Sequence, residues 1–213
     1  MTQNSGNGQM QPSDTTSDFN AISFMIQQAL AVTRTMTLVK VISVTNDGGV
    51  SPVGFVDVHP MVNMLDGVGV SSPHGTVFGL PYFRLQGGAN AVIIDPQVGD
   101  IGVAVIADRD ISGVKAAKAD ANPGSGRRFD FADGVYIGGI LNGVPSQYVR
   151  FTDSGIVLAD KNGNVIEMKA GSIAITGNLT VSGGVTAGFG GIDAVTLQHH
   201  VHSANNVPPT PGT

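Results

Sequence analysis

The chain has 213 residues, 41% apolar and 13% charged, with 30 Gly and neither Cys nor Trp. Charge at about half and glycine at about twice the usual level disfavour a long solvated coiled coil and point to strands and turns, in one domain or two small ones. A formal charge of −5 opposes binding to a phosphate backbone, so no nucleic-acid partner is expected, and the absence of cysteine removes disulfide staples and thiol chemistry.

Residues 1–16 are mostly Gln, Asn, Ser, Thr and Gly and predict a flexible tail. The tail opens Met1-Thr2-Gln3-Asn4, without a basic region or apolar stretch, and no run of 18 apolar residues occurs, so no secretion or anchoring signal is expected. Over residues 17–35 the apolar positions Phe19, Ile22, Ile26, Ala29 and Leu30 share one stripe with Thr33. That predicts a short amphipathic helix, with Ser17 or Asp18 as its cap.

Residues 36–141 read as a small barrel such as an OB-fold. Strands are expected at Thr37–Thr45, Val53–His59, Met61–Leu65, Tyr82–Leu85, Ala91–Ile94 and Ile101–Ala107, with a hairpin turn at Asn46-Asp47-Gly48-Gly49. Phe55, Phe78, Tyr82 and Phe83 are expected to fill the barrel core. Ser112 to Asp133 is irregular and reads as a long exposed loop, with Arg127 and Arg128 solvated in preference to meeting an acidic partner. Asp95, Asp100, Asp108 and Asp110 flank strand ends, where Asp commonly starts turns.

From residue 142 to 198 short strands recur with Gly or Asn-Gly between them: Tyr148–Thr152, Ile156–Ala159, Val165–Lys169, Ser172–Thr176, Leu179–Val181 and Val185–Ala187. Phe189 is the only aromatic after Phe151, and Asp193 the only charge after Lys169. So short a run of small strands buries too little surface to close a core alone. An intertwined trimeric β-helix solves this, because each chain supplies one wall and the apolar side chains meet at the axis. A monomeric β-sandwich is the simpler alternative, but it would need the aromatics that this segment lacks.

Three of the five histidines, His199, His200 and His202, fall within four positions in the terminal segment 199–213. His200 and His202 share one side of a strand. Two imidazoles make a poor metal site, but three copies present six, a set that suits a six-coordinate first-row divalent ion such as iron(II). Parity places Val195, Leu197, His199 and Val201 on the other side, so a bend near Gln198 is required if both apolar residues and histidines face an axis. The prolines beyond His202 are unsuited to sheet and read as a terminal cap. His59 and His74 lie in turn contexts and read as loop residues. No G-x-S-x-G, H-E-x-x-H or P-loop pattern is present, and six histidines leave no open metal position for hydrolysis, so no enzyme is expected.

Three stretches taken in order resemble the central spike of contractile bacteriophage tails, the membrane-puncturing baseplate protein V family. Pro96-Gln-Val-Gly-Asp-Ile-Gly-Val-Ala-Val-Ile-Ala-Asp-Arg-Asp-Ile is similar to the end of that family's OB domain. Arg128-Phe-Asp-Phe-Ala-Asp-Gly-Val-Tyr-Ile is similar to its passage into the spike, and His200-Val-His202 before a Gly- and Pro-containing terminus is similar to its apex. The resemblance covers about residues 36–213. It implies an all-β homotrimer: an OB-fold collar attached to the baseplate hub or tail tube, then a triple-stranded β-helix, then an apex in which His200 and His202 of each chain hold one iron ion on the three-fold axis. It further implies a place in the virion at the tip of the tail baseplate, and a mechanical task, piercing the host outer membrane as the sheath contracts. The competing expectation is a trimeric fibre tip or adhesin that recognises a surface glycan, which would normally display exposed aromatics. A single-stranded nucleic-acid binder on the barrel aromatics is opposed by the acidity of the chain.

Overall fold

The computed structural model describes residues 12–65, 69–187 and 195–196. The chain divides into two compact units, split between Gly143 and Val144, and is predominantly β with two α-helices among the described residues.

The first helix, α1 (Asp18–Ala31), starts where expected. Ser17 is its N-cap, its hydroxyl accepting from the Asn20 amide at 3.3 Å, and Asp18 adds an acidic group to the first turn. At the far end the Thr33 hydroxyl donates to the Ala29 carbonyl at 2.8 Å. None of its side chains is buried.

Five strands build the core of the first unit. β1 (Met36–Val44) pairs antiparallel with β2 (Phe55–Pro60). Two short ribbon strands follow, β3 (Met64–Leu65) and β4 (Ser71–Ser72), and then β5 (Val77–Pro81), which pairs with β2. A second ribbon, β6 (Leu85–Gly87) with β7 (Asn90–Val92), precedes β8 (Ile101–Ile106), helix α2 (Ser112–Ala117) and β9 (Gly134–Ile137). The sheet order is β5-β2-β1-β8-β9. Its two outer strands meet as well: Tyr82, just past β5, forms a parallel bridge to Tyr136 of β9, and the Phe83 amide donates to the Tyr136 carbonyl at 2.8 Å. The sheet therefore closes on itself. Period-two alternation turns Val39, Val41, Val56, Val58, Leu80 and Tyr136 inward, all 0–1% exposed. At Gly102 a Cβ would fall 2.6 Å from the Tyr136 ring, so a glycine is required where that ring crosses β8.

Several expectations for this unit are corrected. The strand expected at Tyr82–Leu85 lies earlier, at Val77–Pro81, and the edge from Leu85 belongs to the outer ribbon. Of the four aromatics assigned to the core, only Tyr82 is buried; Phe78 and Phe83 are exposed, and Phe55 is at the margin. Strand parity explains Phe83, the neighbour of inward-facing Tyr82, whereas Phe78 has the parity of Leu80 and is turned outward by the irregularity in the β2–β5 pairing between Val56 and Val58. His59 lies in β2 opposite Lys40, not in a turn. The segment Ser112 to Asp133 is not an exposed loop throughout: it contains α2 and a 3₁₀ turn at Phe131–Asp133, with Asp133 fully buried.

The second unit is an antiparallel meander of β10 (Tyr148–Thr152), β11 (Gly155–Ala159), β12 (Val165–Lys169) and β13 (Ser172–Thr176), followed by a two-residue pair of β14 (Thr186–Ala187) with β15 (Val195–Thr196). Three of the four meander strands have the expected bounds. Leu179–Val181 forms no strand.

The barrel core predicts a measurable sensitivity. Leu80→Ala, at a fully buried position, should lower the unfolding free energy of the first unit by about 2–5 kcal/mol in a urea titration, the usual cost of a buried leucine truncation.

Candidate assembly surface and buried ion pairs

The turns of the second unit fix its register. Between β12 and β13 the two loop residues Ala170 and Gly171 both take positive φ, +49° and +77°, the pattern of a tight hairpin turn. Between β11 and β12 the Asp160 carboxylate accepts from the amides of Asn162 and Asn164, both at 2.9 Å, and from the Asn164 side chain at 2.8 Å. Those bonds, that of the Asn164 side chain foremost, hold the Asp160 carboxyl below its ordinary pKa.

In the resulting register Val149, Leu158, Ile166 and Ile175 lie side by side across all four strands, and so do Phe151, Ile156, Met168 and Ile173. The two rows are two residues apart, so they share one face of the sheet. Every one of those positions is apolar. The alternate rows carry Arg150, Glu167, Lys169, Thr152 and Ser172 on the other face, where Arg150 lies over the Tyr148 ring at 5.7 Å. Among the described residues nothing of the unit closes over the apolar face: Phe151 is 75% and Ile173 67% exposed, and the one buried apolar side chain of these, Val157, belongs to the opposite face. Each such residue left in water forgoes about 1.5–3 kcal/mol of burial. The outer edges of β10 and β13 are also unpaired among the described residues and carry no proline or bulge that would block pairing.

The first unit uses its charges differently. Arg84 and Asp95, with side chains 3% and 0% exposed, pair at 2.6 Å, and the Tyr82 hydroxyl donates to the same carboxylate oxygen at 2.6 Å. Burial opposes ionisation of Asp95, but the bonds from Tyr82, Arg84 and the Gly48 amide outweigh it and leave its pKa lowered. Arg127 is not solvated as expected. Its guanidinium donates twice to Asp133, at 2.7 and 2.9 Å, and reaches Asp110 at 3.0 Å. Hydrogen bonds from Ser112 and Ser125 hold the Asp110 carboxyl well below the usual carboxylate range. Asp95 and Asp110 are thus buried ion-pair partners, beyond the turn-starting role expected of them. Together these bonds clasp the excursion between β8 and β9 onto the barrel. The sequence signal for that clasp was faint: a charged residue in a chain that carries few.

The expected metal ligands, His200 and His202, and their neighbour His199 lie outside the described residues. His74 packs edge-on against the Phe131 ring at 5.2 Å, and among the described residues no group of three or more His, Asp or Glu is placed to hold a metal ion. No protein-family model matches the chain, and no curated protein matches it.

Tyr136 yields a pH prediction. Burial, with the charge of Asp100 adding to it, pushes its phenol up to about 12. A raised folded-state pKa means that stability is complete below the unfolded value near 10 and is lost as pH rises through the folded value. Unfolding free energy should therefore fall by on the order of 3 kcal/mol between pH 10 and 12, and Tyr136→Phe should flatten that slope in alkaline denaturant titrations.

Proposed function

We propose that this chain is the trimeric central spike of a contractile phage tail baseplate, a structural component that pierces the host outer envelope and catalyses no reaction. The observation that carries the reading is the uncovered apolar face of the β10–β13 sheet. Three such faces turned toward a common axis form a closed apolar interior, each sheet serving as one wall of an intertwined β-helix over residues 142–198. The unpaired edges of β10 and β13 supply the backbone groups for pairing between chains.

The closed five-stranded sheet of the first unit supports an OB-fold collar. Its three-strand meander, its antiparallel return and the parallel contact that closes it are the connections of a small Greek-key barrel. In the spike that collar seats on the baseplate hub or the tail tube. At the other extremity, residues 199–213 form the apex. His200 and His202 from three chains provide six imidazole nitrogens, a donor set suited to one iron(II) ion per trimer. Bound iron would tie three chain ends together and keep them from fraying.

The mechanism is mechanical. Axial load is shared among many interchain hydrogen bonds, and unfolding one wall would expose the apolar faces of all three. The charge-poor sequence after Lys169 lowers the desolvation cost of passing into a bilayer.

Sedimentation equilibrium of the full-length protein should give a trimer. Ile166→Asp, which sets a carboxylate in each wall of the interior, should abolish the trimer while the barrel stays folded by circular dichroism. A stable wild-type monomer would refute the spike and equally the trimeric fibre tip. Elemental analysis should find about one iron per three chains. The double variant His200→Ala, His202→Ala should lose the metal and remain trimeric, and retained stoichiometric iron would reject these ligands.

A further inference from the structure

The sequence contains three Asn-Gly pairs, Asn7-Gly8, Asn142-Gly143 and Asn162-Gly163, the first of them outside the described residues. Such a pair is chemically labile, because a glycine nitrogen with no Cβ beside it can reach the preceding carboxamide carbon and close a five-membered ring on it. The fold treats the other two pairs differently. At Asn162 the ring-closing nitrogen is engaged: the Gly163 amide donates to the Asp160 carbonyl at 3.4 Å, and the Asn162 amide donates to the Asp160 carboxylate at 2.9 Å. At Asn142 that nitrogen is free. The Gly143 amide donates to no group among the described residues, both residues are exposed, and no atom lies within 4 Å of the place a Gly143 Cβ would take. The carboxamide is instead the part that is held. Its Oδ1 accepts from the Ile101 amide at 2.7 Å, and the Ile140 amide donates to the Ile101 carbonyl at 3.0 Å, so the first residue of β8 grips this segment with both of its backbone groups. A backbone donor on Oδ1 draws charge from Cγ and is already in place when that oxygen becomes an oxyanion.

We infer that Asn142 is a site of self-modification, a deamidation for which the fold leaves the attacking nitrogen free and supplies the oxyanion donor. The Gly143 nitrogen, having lost its proton to solvent, bonds to Cγ of Asn142, and the tetrahedral intermediate carries its negative charge on Oδ1 against the Ile101 amide. Collapse breaks the Cγ–Nδ2 bond and releases ammonia, which takes its proton from water. Water then opens the succinimide. Entry at Cγ leaves aspartate and entry at the main-chain carbonyl leaves isoaspartate; in sum one water is consumed and one ammonia released, with no oxidation or reduction. In the isoaspartate the carbonyl that Ile101 holds has become part of the main chain, which is one methylene longer at the last residue but one of the first unit. Either product adds a carboxylate at a cavity that Asp95 and Asp100 already line.

Full-length protein held warm at mildly alkaline pH, native or in concentrated urea, can be sampled over time, with each site read by tryptic peptide mass and by isoaspartate-specific methylation. In the native protein Asn142 should convert about tenfold faster than Asn162, the worth of one hydrogen bond that engages the nitrogen at Gly163 and spares it at Gly143. In urea the two rates should converge, since both are then open Asn-Gly pairs. Equal rates in the native protein, or Asn162 ahead, would overturn the inference, and so would an Asn142 that converts only after unfolding. Gly143→Ala tests the ring closure itself. The position takes no positive φ and has open space around it, so alanine is accommodated. Its Cβ beside the attacking nitrogen should slow conversion of Asn142 while Asn162 keeps its rate, and undiminished conversion in that variant would show that the Gly143 nitrogen takes no part.

Discussion

Register is the constraint from which the second unit's behaviour follows. Side chains alternate with period two, so the turn at Ala170-Gly171 and the Asp160-centred loop decide together which residues share a face. A slip of one position in any strand would break up the apolar rows and give two mixed surfaces, either of which water would tolerate. The observed pairing instead concentrates every leucine, isoleucine and methionine of the meander on one side, opposite the charges of Arg150, Glu167 and Lys169. Tight local turns thus create an apolar surface that no other described part of the unit covers.

The first unit has solved the same problem internally. Its sheet closes, the inward positions are filled by valine, leucine and tyrosine, and its scarce charges are spent on clasps. Arg127 draws Asp110 and Asp133 together from the two ends of a long excursion, fixing a segment with little apolar content of its own. One unit closes a core of its own, while the described strands of the other leave an apolar face open, and the proposed collar and needle assign a task to each condition.

Much of this was legible in the amino-acid order where local signals agreed. β10, β12 and β13 alternate cleanly between glycine- or asparagine-containing turns, and their bounds follow from that pattern. β5 was not legible because Gly79 and Pro81 look like breakers. In the fold Gly79 takes a positive φ of +67° and its amide donates to Asp57, where the pairing of β2 with β5 is irregular. Nor could the clasp be read, since its partners are separated by 17 and 6 positions and only the closed barrel brings them together. The aromatics misled by type: Phe78 and Phe83 have core-like side chains, but parity turns Phe83 outward and the irregular β2–β5 pairing turns Phe78 outward. His199, His200 and His202 were conspicuous in the sequence and lie outside what the structure describes.

The close approach of Tyr136 to Gly102 has an evolutionary side. The ring occupies the space that any side chain at position 102 would need, and the missing side chain is what admits the ring. Position 102 cannot grow: a side chain there would press on the ring and on the Ile137 carbonyl oxygen and force two strands apart at the centre of the barrel. Descendants of this chain should keep glycine at position 102 whatever stands at 136, because the Ile137 carbonyl oxygen, 2.5 Å from that Cβ, would remain in the way of any side chain.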